Sequence, residues 1–104
     1  MGTEKIFVKV DSDLEEIVPG YIDARKKEIP VMWKSLQKMD FSTLQTLGHC
    51  IKGSAGGYGF DDVGLFGAKI ENGAKAKNVS QTEAALKDLE DYLARLEIIF
   101  EAVA

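Results

Sequence analysis

Histidine and cysteine occur once each in this chain of 104 residues, as His49 and Cys50, and proline only twice, as Pro19 and Pro30. A lone cysteine forms no internal disulfide. One histidine and one cysteine do not close a ligand set, so no metal site is expected. No run of about 18 apolar residues occurs, which leaves no candidate membrane-spanning helix. Positive charge is not in excess either: 13 Lys and Arg against 17 Asp and Glu give a net charge of −4, unlike the basic surface of a nucleic-acid module. Met1-Gly2-Thr3-Glu4-Lys5-Ile6 lacks the basic-then-apolar order of a signal peptide. Ile6 also stands where an acylation motif at Gly2 needs Ser or Thr. Nucleotide motifs fail on order and spacing. In Lys52-Gly53-Ser54 the lysine precedes the glycine, and Gly57-Tyr58-Gly59 has no glycine three residues on. There is no room for a kinase ATP-binding domain. These absences leave a soluble cytoplasmic protein of one domain, residues 1–104, whose 45% apolar content suffices for one core.

What is present is mostly helical periodicity. Glu4–Val10 alternates, with Ile6, Val8 and Val10 on one side, as a strand does. No second stretch reads as its partner, so an extended arm lying on the helices is expected. Ser12-Asp13-Leu14-Glu15 fits a capping box. Leu14, Ile17, Val18, Tyr21, Ile29, Met32, Leu36 and Met39 follow at helical spacing, interrupted by the two prolines. The spacing predicts a short opening helix, a bend near Pro19-Gly20 and a longer helix kinked near Pro30. Arg25-Lys26-Lys27-Glu28 reads as a solvated face. Asp40 suits the N-cap of a central helix from Phe41 to about Tyr58, ended by Gly56, Gly57 and Gly59. The next helix starts near Asp61 or Asp62 and packs through Val63, Phe66 or Gly67, Ile70 and Ala74. Gly64, Gly67 and Gly73 lower its propensity, so close helix–helix contact must sustain it. Ser80-Gln81-Thr82-Glu83 is a second capping box before Leu86, Leu89, Leu93, Leu96, Phe100 and Val103. That last repeat also fits a coiled-coil seam, but three other amphipathic helices need a surface to pack on. The expected fold is all-α: an antiparallel up-down four-helix bundle with a short extra N-terminal helix or extended arm.

The central helix carries the chemistry. Its apolar stripe runs Phe41, Leu44, Gly48, Ile51, Ala55 and Tyr58. At about 100° per residue, His49 projects away from that stripe, on a face shared with Gln45, Lys52, Gly53 and Gly56. Cys50, ~100° round the helix from His49, reads as a packing residue. A neutral imidazole offers one nitrogen lone pair, and its reference pKa near ~6.5 keeps a useful fraction neutral at cytoplasmic pH. Lys52 and Gly53, at i+3 and i+4, border whatever the ring carries. An ammonium offsets the charge of a phosphoryl group, and Gly53 keeps the space beside the ring clear. That glycine costs the helix roughly 0.5–1 kcal/mol relative to alanine, which points to a spatial requirement. If the chain reverses at Phe60, the position opposite His49 is Glu71. A carboxylate there can hold one ring nitrogen and leave the other free; the competing reading is a surface pair with Lys75.

His49-Cys50-Ile51-Lys52-Gly53-Ser54-Ala55-Gly56-Gly57-Tyr58-Gly59, followed by Phe60, resembles the H-x-[LI]-K-G-[SG]-[SA]-x-x-x-G signature of histidine-containing phosphotransfer (HPt) domains. It is similar above all to the phosphoacceptor domain of chemotaxis histidine kinases. The resemblance implies a helical bundle in which His49 carries a phosphoryl group to or from an aspartate of a response-regulator receiver domain, with a histidine kinase upstream. The chain is then a phosphoryl carrier and not an enzyme, a monomer without a cofactor, and the Mg²⁺ belongs to the receiver. Those kinase domains carry a glutamate at the spacing of Glu71, which supports its pairing with His49. They often carry a second histidine where Ala68 stands here, so the wider hydrogen-bond network differs. Gln45, Gly56 and Lys69 are the expected partner-facing residues. An inert helical adaptor or dimerisation module is the alternative from another class.

Overall fold

The structure, a computed structural model, describes residues 4–102. The acylation reading at Gly2 and the place of Val103 in the last helix lie outside the described residues. The chain is mostly helical. Strand β1 (Ile6–Asp11) leads through a 3-10 turn, Ser12–Leu14, to helices α1 (Val18–Gln37), α2 (Phe41–Ser54), α3 (Asp61–Lys75) and α4 (Val79–Arg95), and then to strand β2 (Leu96–Glu101). The two strands pair in parallel, Ile6 opposite Leu96 through Asp11 opposite Glu101.

Four helices fit the expected all-α bundle; the small parallel sheet is an addition to it and corrects the unpartnered arm. The partner strand lies where the last helix was expected to continue through Leu96 and Phe100. α4 ends at Arg95, and Leu96 has extended geometry (φ −68°, ψ 128°). Leu96, Ile98 and Phe100 satisfy a period of two as well as part of a helical repeat, and Ile98-Ile99 is a β-branched pair that favours the strand. Ile6, Val8 and Val10 face the core beside Leu96, Ile98 and Phe100.

The first helix also differs from its expectation. The opening helix is only the 3-10 turn, and Asp11 caps it in place of Ser12, accepting from the Asp13 N–H at 2.9 Å. α1 then runs through both prolines. Pro19 sits in the first turn, where the missing N–H has no intrahelical partner to lose. Pro30 is on the exposed side, where water can serve the carbonyl it leaves unpaired. Asp40 caps α2 as expected, accepting from the Thr43 N–H at 3.2 Å and the Thr43 hydroxyl at 2.7 Å. α2 stops earlier than expected, at Ser54; Ala55–Tyr58 tightens into a 3-10 turn and Gly59, at φ 92°, ends it in the left-handed conformation. α4 starts two residues early. Asn78 caps it, accepting from the Gln81 N–H at 3.0 Å, and displaces the capping box read at Ser80.

Phe60, Met32, Leu44, Ile51, Ile70, Leu86, Leu89 and Leu93 are fully buried, each worth ~1.5–3 kcal/mol of transfer from water. α2 and α3 form the most extensive helix pair, α3 packs on α4, and α1 closes against α4 and α2. The α2–α3 contact is backbone on backbone. A Cβ at Gly48 would lie 2.7 Å from the Glu71 nitrogen and 2.8 Å from the Gly67 oxygen. One at Gly67 would lie 2.8 Å from the Lys52 nitrogen and 2.9 Å from the Gly48 oxygen. Gly73 similarly lies against Thr82 of α4. At Gly53, by contrast, an added Cβ meets nothing within 4 Å. Gly48→Ala is therefore expected to cost about 1–3 kcal/mol in urea unfolding, and Gly53→Ala to add about 0.5–1 kcal/mol. An undiminished stability for Gly48→Ala would contradict the close approach.

Candidate functional site

The close approach sets the site. His49 follows Gly48 on α2, and Glu71 lies one turn beyond Gly67 on α3, so the two side chains meet at the edge of the contact. His49 Nδ1 is 2.8 Å from Glu71 Oε2. Lys52 Nζ is 2.7 Å from Glu71 Oε1. One carboxylate thus holds both residues, each through its own oxygen. The His49 side chain is 65% exposed while that of Glu71 is only 13% exposed. The carboxylate forms the floor and the ring stands above it.

The pKa of Glu71 is lowered from the ordinary 4.5. The Lys52 hydrogen bond contributes most, partial desolvation opposes it, and the His49 hydrogen bond and the Lys52 charge add to the lowering. An ionised carboxylate only accepts, so Nδ1 carries the hydrogen. In the neutral ring the lone pair then belongs to Nε2. No other group among the described residues hydrogen-bonds that ring.

The surroundings of the ring are polar on one side and open on the other. Ser42, Gln45 and Thr46 line a shallow depression with His49 and Glu71. Ser42 and Thr46 were not singled out from sequence, although their i, i+4 and i+7 relation to one another and to His49 puts them on its face. Beyond Lys52, Gly56, Gly64, Leu65 and Ala68 line a second hollow. Leu65 is 59% exposed there. Gly53 adds only open space beside the ring. Lys69 is exposed on α3 and makes no ion pair among the described residues.

Two readings of the sequence are corrected. Glu71 pairs with Lys52 across the helices and not with Lys75 along its own helix. Cys50 is exposed and not a packing residue; only its carbonyl is used, accepting from the Ser54 hydroxyl at 2.8 Å. Because Ser54 spends its one hydrogen there, the Tyr21 hydroxyl, 2.7 Å away, donates to Ser54 and ties α1 to the end of α2. Tyr21 in turn stacks on Tyr58 at 4.1 Å and lies under the Arg25 guanidinium. Arg25 and Glu28 form a half-buried ion pair, so only Lys26 and Lys27 of that charge run are a solvated face.

No family model matches this chain, and neither do the curated proteins or the solved structures compared with it. Among the described residues no group of three or more His, Cys, Asp or Glu side chains could hold a metal ion, and no helix is long and apolar enough to cross a membrane.

A depressed folded pKa means that the stability contributed by Glu71 is present above about pH 4.5 and is lost as pH falls through the lowered folded value. A carbon-detected NMR titration is expected to show the Glu71 carboxyl titrating below the ordinary glutamate value. Lys52→Met is expected to move it upward; an unmoved titration would deny the ion pair its role.

Proposed function

We propose that this protein is a histidine phosphotransfer protein of a two-component phosphorelay, passing a phosphoryl group between His49 and an aspartate of a response-regulator receiver domain. The observation that carries this reading is the exposed ring whose Nδ1 is held by Glu71, which leaves Nε2 as the nucleophile facing solvent. The HPt-like motif around His49 supports the same reading. We further propose a cytoplasmic location and an antiparallel up-down bundle; the short links 38–40 between α1 and α2 and 76–78 between α3 and α4 support the antiparallel order.

In the proposed step the Nε2 lone pair attacks phosphorus of the receiver's aspartyl phosphate. The N–P bond forms as the P–O bond to the aspartate breaks, and the carboxylate leaves with the electron pair. The ring becomes cationic, with its proton still on Nδ1 and its charge beside the Glu71 carboxylate. Lys52 offsets the phosphoryl charge and Gly53 leaves room for the receiver to approach. Gln45, Gly56 and Lys69 face the receiver, and the Leu65 hollow gives its approach an apolar contact. The receiver brings Mg²⁺ and most of the transition-state stabilisation. A histidine kinase is the source or a competitor for the phosphoryl group, and the chain itself is a carrier.

Incubation with phosphorylated receivers is expected to place acid-labile phosphate on the wild-type chain and none on His49→Gln at equal helicity. Labelling retained in His49→Gln would reject the assignment. Gly53→Phe is expected to slow transfer at least about tenfold, equivalent to ~1.4 kcal/mol, without lowering the unfolding midpoint. An unchanged rate would remove the clearance role.

A further inference from the structure

The sheet ends in an open edge. Among the described residues neither strand has a third beside it, and no hydrogen bond from a helix or turn reaches the backbone of residues 6–10. A free edge presents a row of N–H and C=O groups to other chains, and proline, a bulge or a charged side chain, lysine above all, is a usual protection. β1 has no proline and no bulge: its sequence is Ile-Phe-Val-Lys-Val-Asp, in unbroken register with β2, and Lys9 is its one lysine. A two-stranded sheet is also marginal by itself. On its outer face Phe7 is 65% exposed, more than any other large apolar side chain among the described residues, and Ile99 is 41% exposed on the same face.

We propose that a second copy of this chain occupies the edge: β1 pairs antiparallel with β1 of the other copy about a two-fold axis at Val8. Directly opposed residues of an antiparallel pair share a face, and this register is complementary on both faces. On the inner face Ile6 meets Val10 of the other copy, and Val8 meets its own equivalent. On the outer face Lys5 meets Asp11, and Phe7 meets Lys9, each twice by symmetry. Lys5 gives one hydrogen to Glu97 at 2.6 Å and keeps others. Asp11 caps its turn through Oδ1 and keeps Oδ2.

The neighbouring registers fail on charge. Centred on Phe7, the pairing sets Lys5 against Lys9; centred on Lys9, it sets that lysine against itself. The free edge of β2 is no better. Centred on Ile99 it opposes Glu97 to Glu101, and centred on Ile98 its one pair of opposite charges sets Glu101 against Arg95, which, unlike Lys5, closes a helix and is already held by Asp91 and the Glu4 carbonyl. The dimer has a four-stranded sheet in the order β2–β1–β1–β2. It replaces the monomer expected from sequence and leaves the His49 depression, built from α2 and α3 alone, uncovered by β1.

Sedimentation equilibrium of the full chain from about 1 µM to about 1 mM tests this. A two-fold increase in mass with concentration is expected. Asp11→Lys is expected to weaken the dimer about tenfold, through two like-charge contacts, and Lys5→Glu with Asp11→Lys to recover it. Val8→Cys in a Cys50→Ser background is expected to cross-link to itself under mild oxidation, and Ile6→Cys in that background is not. A monomer mass at every concentration overturns the proposal. So does a dimer insensitive to Asp11→Lys in which Val8→Cys does not cross-link.

Discussion

The backbones of α2 and α3 touch at Gly48 and Gly67, and the site exists because they do. Helices bearing ordinary side chains keep axes 8–10 Å apart. At that separation a glutamate on α3 would have to stretch across side chains to reach the next helix. Here the floor between the helices is bare backbone, so Glu71 needs no detour and sits low, largely shielded, with its two oxygens turned toward α2. The glycines weaken both helices as isolated elements. Burial of Ile51, Ile70 and Val63 around the contact offsets that cost.

Electrostatics then orients what packing has brought together. An exposed ion pair contributes little to stability, and the Lys52–Glu71 pair is half-exposed on the lysine side. Its consequence is positional. A carboxylate fixed by an ammonium on one oxygen presents the other to a ring N–H in a set direction, which fixes the tautomer. Lys52 therefore has two partners in prospect: Glu71 in the resting state, and a phosphoryl group in the proposed phosphorylated one. The ring needs no burial to be held. That reconciles a fixed tautomer with an open nucleophile.

The pairing of His49 with a carboxylate near position 71 was legible because reversal at the Gly59 turn makes residues equidistant from Phe60 neighbours. The α2–α3 contact was legible for a similar reason: three glycines in one helix make little sense without a close neighbour. The ion pair between Lys52 and Glu71 was not, since a lysine beside a proposed phosphate site reads equally well as free, and Lys75 offered a local partner. β2 was hidden by coincidence of period. Leu93, Leu96 and Phe100 continue a helical repeat, and only the alternation through Ile98 and the pair Ile98-Ile99 speak for a strand. Without a recognised partner, β1 could only be read as an arm. The caps at Asp11 and Asn78 were missed because a better-looking box lay one or two residues downstream of each.

The central claim is that Nε2 of His49 is the acceptor and that Nδ1 keeps its proton, donated in a hydrogen bond to Glu71. Nitrogen–phosphorus NMR coupling on ¹⁵N-labelled protein, mixed with the phosphorylated receiver domains of one genome, measures this directly. The account expects one or more receivers to lose their acyl phosphate as coupling appears at Nε2 of His49, with Nδ1 still protonated. Coupling at Nδ1, phosphate on any other residue, or no transfer from any receiver would contradict it.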